Sequence, residues 1–291
     1  MDRANLFIIG VNKAGTSWLY YLLNQHPEVF MSKVKEPYFF GEVTNLSGTA
    51  KHDAGDLAAY HRHFPFEEEY TYFGEATAKY YQDAAVADDI QRYNPDAKLL
   101  AIVRDPIQRL LSQYRYRKQL GILDEDTTVE DALDGRDPAL IADSHYERTL
   151  PAFRERFGPD QFKIVSLEEG RDHPNDTWKA LLDYLNLPFV DCPDPDAKPE
   201  NPTGSASFRR VYRLTAQPIK NLAPGVYEQM LQSPLVRKIK LALIRLLGTA
   251  EPTQISPALK RRLQAEFAPT YTYLREEGFD VYDPPEAQTP E

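Results

Sequence analysis

Leu6-Phe7-Ile8-Ile9-Gly10-Val11-Asn12-Lys13-Ala14-Gly15-Thr16-Ser17-Trp18 is the stretch that decides the fold. Its first four residues are apolar without alternation. That predicts a strand buried on both faces, the kind found inside a parallel sheet. A loop bounded by two glycines follows, and Thr16 to Gln25 carries a helical pattern that His26-Pro27 ends. A strand, a glycine loop and a helix start in this order turn backbone N–H groups toward one point. Unpaired donors and the positive end of the helix dipole make that point a seat for an oxyanion. Lys13 adds a cation there, and Thr16 and Ser17 offer hydroxyls that can cap the helix or bond the anion.

The loop differs from that of a nucleoside triphosphatase. Such an enzyme needs Lys directly before Ser or Thr at the helix start, with the hydroxyl on Mg²⁺. Here Lys13 lies two residues before Gly15, so the cation remains but the usual metal seat does not. The plainer reading of the segment is a strand-to-helix turn with a solvated lysine.

Further along the chain the same alternation recurs. Val29-Phe30-Met31 is a second short apolar stretch, Tyr72-Phe73-Gly74-Glu75 ends another strand, and Lys98 to Val103 and Phe162 to Val165 are two more. Helical patterns fall at 56–64, 83–93, about 106–120, 138–157 and 174–187. Pro106 sits in the first turn of its helix and Gly121 just past the end. Alternation of this kind predicts an α/β fold, a mostly parallel central sheet flanked by helices. Residues 188–205 are rich in Pro and Asp and read as a loop. Residues 206–291 read as a helical extension with a polar, Pro-rich tail. We expect one domain over 1–291, with a nucleotide-binding α/β core at 1–187.

A second anion site is written after the Lys98–Val103 strand, in Arg104-Asp105-Pro106-Ile107-Gln108-Arg109-Leu110-Leu111-Ser112-Gln113-Tyr114. Arg104 stands at a carboxyl strand end, where ligands bind in open α/β sheets. Ser112 lies about two turns into the next helix. A guanidinium fork with a hydroxyl suits a terminal phosphate. An ion pair with Asp105 or another neighbour is the competing role for Arg104, and a purely structural role the competing one for Arg109.

Composition sets outer limits. The chain has 291 residues and a formal net charge of −10, which argues against nucleic-acid binding but not against a small anionic ligand in a local pocket. Cys192 is the single cysteine, so no intrachain disulfide forms. No apolar run approaches the roughly 20 residues that span a bilayer, and no signal peptide is legible; a cytoplasmic protein is expected. No His/Cys/Asp cluster has metal-ligand spacing, so no metal is expected. Leu235 to Leu247 is an apolar helix pattern holding Arg237, Lys238, Lys240 and Arg245; a packed helix is preferred over one lying on a membrane.

Taken together, the two motifs resemble those of the PAPS-dependent sulfotransferase family, nearest to its carbohydrate, heparan-type and bacterial members. Lys13-Ala14-Gly15-Thr16-Ser17-Trp18 looks like the 5′-phosphosulfate loop, and Arg104-Asp105-Pro106 through Ser112 and Tyr114 looks like the 3′-phosphate motif. The resemblance continues more weakly through Glu36-Pro37-Tyr38-Phe39-Phe40, Gly74-Glu75-Ala76-Thr77, the 157–167 region and 263–278. It implies a P-loop-containing nucleotide-binding fold and transfer of the sulfuryl group of PAPS (3′-phosphoadenosine 5′-phosphosulfate) to a hydroxyl or amine of a small-molecule or carbohydrate acceptor, leaving adenosine 3′,5′-bisphosphate. Lys13 would contact the bridging oxygen. Asn12, Ala14, Gly15, Thr16 and Ser17 would line the 5′-phosphate, and Arg104 and Ser112 would hold the 3′-phosphate; Trp18 resembles the aromatic that stacks on adenine in some members, with a core helix tryptophan as its competing role.

The same resemblance makes Glu36 the expected general base, taking the acceptor's proton. Its competing role is an ion pair with Lys33 or Lys35, and His52, His61 and His63 are rival bases. Lys198, Arg209 and Arg210 are candidates for a late basic loop over the 3′-phosphate. Two other functions compete: a P-loop nucleotide or small-molecule kinase, and a non-catalytic adenosine-bisphosphate-binding module. Acceptor identity and oligomeric state are not written in the sequence.

Overall fold

A computed structural model of the chain describes residues 3–42, 55–193, 205–222 and 253–279, together with 236, 239, 242–244, 246 and 248. Five strands form one sheet: β1 Leu6–Gly10, β2 Val29–Met31, β3 Tyr72–Ala76, β4 Lys98–Val103 and β5 Phe162–Ser166, in the order β2-β3-β1-β4-β5. Every pairing is parallel, with Leu6 opposite both Gly74 and Lys98, Val29 opposite Tyr72, and Leu99 opposite Phe162. The expected mostly parallel sheet is therefore present, and its strands fall where the apolar runs place them.

The helices that accompany the sheet are α1 Thr16–Leu23, α2 Leu57–His61, α3 Ala85–Tyr93, α4 Pro106–Gln119, α5 Leu150–Gln161, α6 Leu167–Asp172 and α7 Pro174–Leu185. Later come α8 Ala206–Leu222, α9 Pro257–Glu266 and α10 Ala268–Glu276. Strand alternation sorts the sheet's two faces. Leu6, Ile8, Tyr72 and Ala76 join Trp18, Leu19, Trp178, Leu181 and Leu185 in one core cluster, so α1 and α7 cover that face. Phe7 points the other way, into an aromatic cluster with Phe40 and Tyr93.

The helix expected over 138–157 is broken. Ala139–Ala142 and Tyr146–Arg148 are separate short turns before α5 begins. The reason lies in Asp143 and Ser144, whose side chains turn inward to polar partners instead of continuing a helix. Pro151 then sits in the first turn of α5, where proline is tolerated.

The chain forms two compact units. One comprises Met1–Arg109, Asp143–Glu200 and Gln264–Glu291 and contains the whole sheet; the other comprises Leu110–Ala142 and Asn201–Leu263. Within the second, Tyr114 donates to the Thr127 carbonyl at 2.6 Å, and Arg117 pairs with Asp137. Among the described residues no helix is long and apolar enough to cross a membrane. Most of Leu235 to Leu247, with its four cations, lies outside the described residues.

Candidate active site

Because the sheet is parallel, the loops after β1, β2, β3 and β4 emerge on one rim. The loop after β1 is tied to β4 by the Val11 N–H, which donates to the Ile102 carbonyl at 2.8 Å. Lys13 adopts φ 68°, and Gly15 adopts φ 108° as the residue preceding α1. Glycine is needed there twice over: the left-handed backbone favours it, and an added Cβ would lie 2.7 Å from Leu167 Cδ1. Gly15, the residue at the cap of α1, has no side chain to cap it, and Thr16 and Ser17 lie inside the helix. The donors at its start thus face the loop without a competing side-chain cap.

Arg104 follows β4 directly. Its guanidinium reaches the Lys13 carbonyl at 3.5 Å, so the two expected cationic residues are neighbours across adjacent strand ends. Its carboxylate neighbour is Glu168, at 4.0 Å, and not Asp105. Asp105 instead accepts from Gln108 N–H at 2.8 Å, capping α4, and from the Tyr271 hydroxyl at 2.8 Å. Arg104 keeps about a quarter of its side-chain surface, 24%, open to solvent.

Asn12 is bound inward. Its amide donates to Asp143 at 3.2 Å, and its carbonyl accepts from the Tyr81 hydroxyl at 2.9 Å and from Arg109 at 3.3 Å. Arg109 is fully buried, bonds Ser144 Oγ at 2.5 Å and lies 3.9 Å from Asp143. Arg109 is accordingly the structural arginine, and the Asn12 side chain belongs to its network. Trp18 is a core residue. Its ring packs on Gly170 so closely that a Cβ there would come within 2.6 Å of it. This is the packing of the core helix tryptophan that competes with adenine stacking as its role.

Glu36 sits five residues past β2, on a turn in which both Glu36 (φ 63°) and Tyr38 (φ 52°) are left-handed. Non-glycine residues held there cost roughly 1–3 kcal/mol each and cluster at functional sites. The turn is fixed by the Glu36 N–H, which donates to the Ala76 carbonyl at 2.9 Å at the end of β3. Lys35 bonds one carboxylate oxygen at 2.8 Å and the Tyr38 hydroxyl donates to the other at 2.9 Å. Burial would raise the Glu36 carboxyl. The Lys35 charge and hydrogen bond, the Tyr38 hydrogen bond and the Lys13 charge outweigh it and hold the group below the ordinary carboxylate range. Glu36 is thus ionised and close enough to Lys13 to feel its charge. Of the two lysines weighed as partners, Lys35 is the one bonded.

A second carboxylate lies nearby with no solvent exposure. Glu75 receives the hydroxyls of Tyr60 at 3.3 Å, Tyr80 at 3.0 Å and Thr77 at 2.8 Å. Burial pushes it up to about 7 against those three hydrogen bonds, and the Glu36 charge adds to the rise. The two environments drive the acids apart, one ionised and one retentive of its proton. Sequence reading quoted Glu75 but gave it no role. The available signal was a carboxylate at the end of a fully buried apolar strand, which must find hydrogen-bond partners.

The remaining expected residues are dispersed. Ala14 and Thr16 are buried in the loop and Ser17 is half-buried. Ser112 is buried on α4 in the second unit. Lys198 and His52 lie outside the described residues, as does the Arg209 side chain; Arg210 is exposed on α8. His61 is turned to the Tyr93 hydroxyl at 3.0 Å, away from Glu36's partners. His63 is half-buried, and its carbonyl accepts from the Lys33 N–H. No group of His, Cys, Asp or Glu that could hold a metal is found among the described residues.

The sequence and the fold have known relatives. Mouse carbohydrate sulfotransferase 15 is 26% identical over 244 residues, covering 63% of this chain and 44% of that protein. Mouse heparan sulfate glucosamine 3-O-sulfotransferase 5 is 28% identical over 194 residues, covering 62% of this chain and 53% of its own. The chain thus spans about half the length of these curated relatives. The crystal structure of a sulfotransferase from Alicyclobacillus acidocaldarius superposes with a TM-score of 0.64 at 22% identity, over 95% of this chain and 96% of that one, and shares its fold. The sulfotransferase domain model matches residues 3–195, about two thirds of the sequence, and the chain belongs to the sulfotransferase family.

Proposed function

We propose that the rim site transfers a sulfuryl group from PAPS to a hydroxyl or amine of a carbohydrate-like acceptor. The observation that carries this is the adjacency of Lys13 and Arg104 at 3.5 Å, with an ionised Glu36 within reach of the Lys13 charge. The donor set fits a bisphosphorylated nucleotide. The loop after β1 and the start of α1 present N–H donors to one anionic end, and the partly exposed Arg104 guanidinium presents a fork to the other.

Bound there, PAPS supplies an activated sulfuryl group on a good leaving phosphate. Lys13 would hold the leaving phosphate of the bound donor and offset the charge that grows on it. Glu36 takes the acceptor's proton as the new bond to sulfur forms, and Lys35 and Tyr38 keep its carboxylate ionised and aimed. Holding the reactants in line does most of the remaining work. The similarity to carbohydrate and heparan sulfate sulfotransferases supports a sugar acceptor over a phenol.

Lys13→Ala and Glu36→Gln test the assignment with labelled PAPS and a panel of sulfated and unsulfated oligosaccharides. Each should lower kcat by about a hundredfold or more, while Glu36→Gln leaves affinity for adenosine 3′,5′-bisphosphate near normal. Wild-type rates in both variants would refute it. Thermal stabilisation by ATP with Mg²⁺ but not by adenosine 3′,5′-bisphosphate would point to a kinase instead.

A further inference from the structure

The turn bearing Glu36 is strained, and its backbone donors have unusual partners. The N–H groups of Phe39 and Phe40 both donate to the Tyr80 hydroxyl oxygen, at 2.9 and 3.2 Å, and that hydroxyl donates its own proton to Glu75 at 3.0 Å. The N–H of Tyr38 points at Thr77 Oγ1 at 3.4 Å, and Thr77 in turn donates to Glu75 at 2.8 Å. Glu75 Oε1 accepts the Tyr80 hydroxyl and Oε2 accepts the Thr77 hydroxyl, which leaves the Tyr80 and Thr77 oxygens facing the N–H groups of the turn; when ionised, Glu75 is an acceptor only and holds both hydroxyls this way. Tyr38, so placed, is the residue whose hydroxyl grips Glu36.

We propose that Glu75 is a positioning residue: acting through Tyr80 and Thr77, it holds the 38–40 backbone and so fixes the Glu36 carboxylate against the acceptor. This rests on the reading of Glu36 as the base. Glu75 itself touches no reactant, being wholly enclosed.

Glu75→Leu keeps the volume but removes the acceptor, and Glu75→Gln keeps one acceptor oxygen. Tyr80→Phe leaves Glu75 in place and removes the hydroxyl that joins it to the turn. Three quantities are measured on the full chain: kcat with labelled PAPS, affinity for adenosine 3′,5′-bisphosphate, and hydrogen exchange at Phe39 and Phe40. Glu75→Leu should lower kcat by about tenfold or more while nucleotide affinity stays within about twofold, because misplacing a catalytic group costs rate and not nucleotide binding. Exchange at Phe39 and Phe40 should quicken, and Glu75→Gln should recover most of the rate. If Glu75→Leu does not fold, Tyr80→Phe decides, with the same expected signature.

A folded variant with wild-type kcat overturns the proposal, as does slower turnover without faster exchange. An equal loss of kcat and nucleotide affinity overturns it too, since that marks general disruption. If the wild-type protein transfers no sulfuryl group, the reading of the site fails instead, and the exchange measurement still decides whether Glu75 holds the turn.

Discussion

Replacing Glu75 by Gln should flatten the pH dependence of folding stability between about pH 4.5 and 7. The Glu75 carboxyl is raised by burial from its ordinary 4.5 to about 7. Below 4.5 it is protonated in both the folded and unfolded chain, and its burial costs no ionisation. As the pH rises, the unfolded chain gives up its proton first and the folded protein only near 7. Stability present at low pH is therefore lost progressively across that window. The interval, at about 1.4 kcal/mol for each pH unit, amounts to about 3 kcal/mol. That is a large share of the roughly 5–15 kcal/mol that holds a domain folded.

Its neighbours do not titrate in the same range. Tyr60 and Tyr80 are pushed well above 10 by burial, and Glu36 lies below the ordinary carboxylate range. The assay is urea unfolding of both proteins by circular dichroism at several pH values from about 4.5 to 8. Taking the difference removes the groups they share. The wild type should lose about 3 kcal/mol relative to Glu75→Gln on going up through the window. A difference that stays constant across it would show that Glu75 is not the retentive acid described here.

Arg104→Ala should weaken binding of adenosine 3′,5′-bisphosphate by roughly ten- to a hundredfold, the loss expected of a charge-assisted bond, and should barely change binding of adenosine 5′-phosphate; calorimetry reads both. Gly170→Ala would set a methyl 2.6 Å from the Trp18 ring and should cost about 1–3 kcal/mol by overpacking, seen as a lower Tm. Arg109→Met should be more damaging, on the order of 3–5 kcal/mol, because it leaves Asp143 buried beside Asn12 without its cation.

The sheet was legible because its strands are short apolar runs closed by glycine, Arg-Asp-Pro or a helix start, and such runs admit few other readings. Lys13 and Arg104 were legible for the same reason: Arg104 directly follows a strand and Lys13 lies in the short glycine loop after one, and the residues themselves mark both strand ends. Glu36 came from resemblance, since four residues separate it from β2 and no local pattern announces a left-handed turn at a glutamate. What stayed hidden is what tertiary packing alone creates. Asn12 looks like a loop donor until Arg109, 97 residues on, is found bonded to it. The core packing of Trp18 shows only once Gly170, far along the chain, is found against its ring. The helix over 138–157 fails because Asp143 and Ser144 find buried partners from distant segments, and periodicity does not register such competition.

The order of the strands carries a consequence for how such a site can diversify. Lys13 and Arg104 follow interior strands, each flanked on both sides, so any drift of their positions would shear two ladders at once. Glu36 follows β2, a marginal strand of three residues bonded along a single side. Chain length and composition beyond that margin can change without re-registering the remaining four strands. On the proposed reading of the site, a protein built this way can trade one acceptor for another at its periphery while the nucleotide stays gripped at its centre.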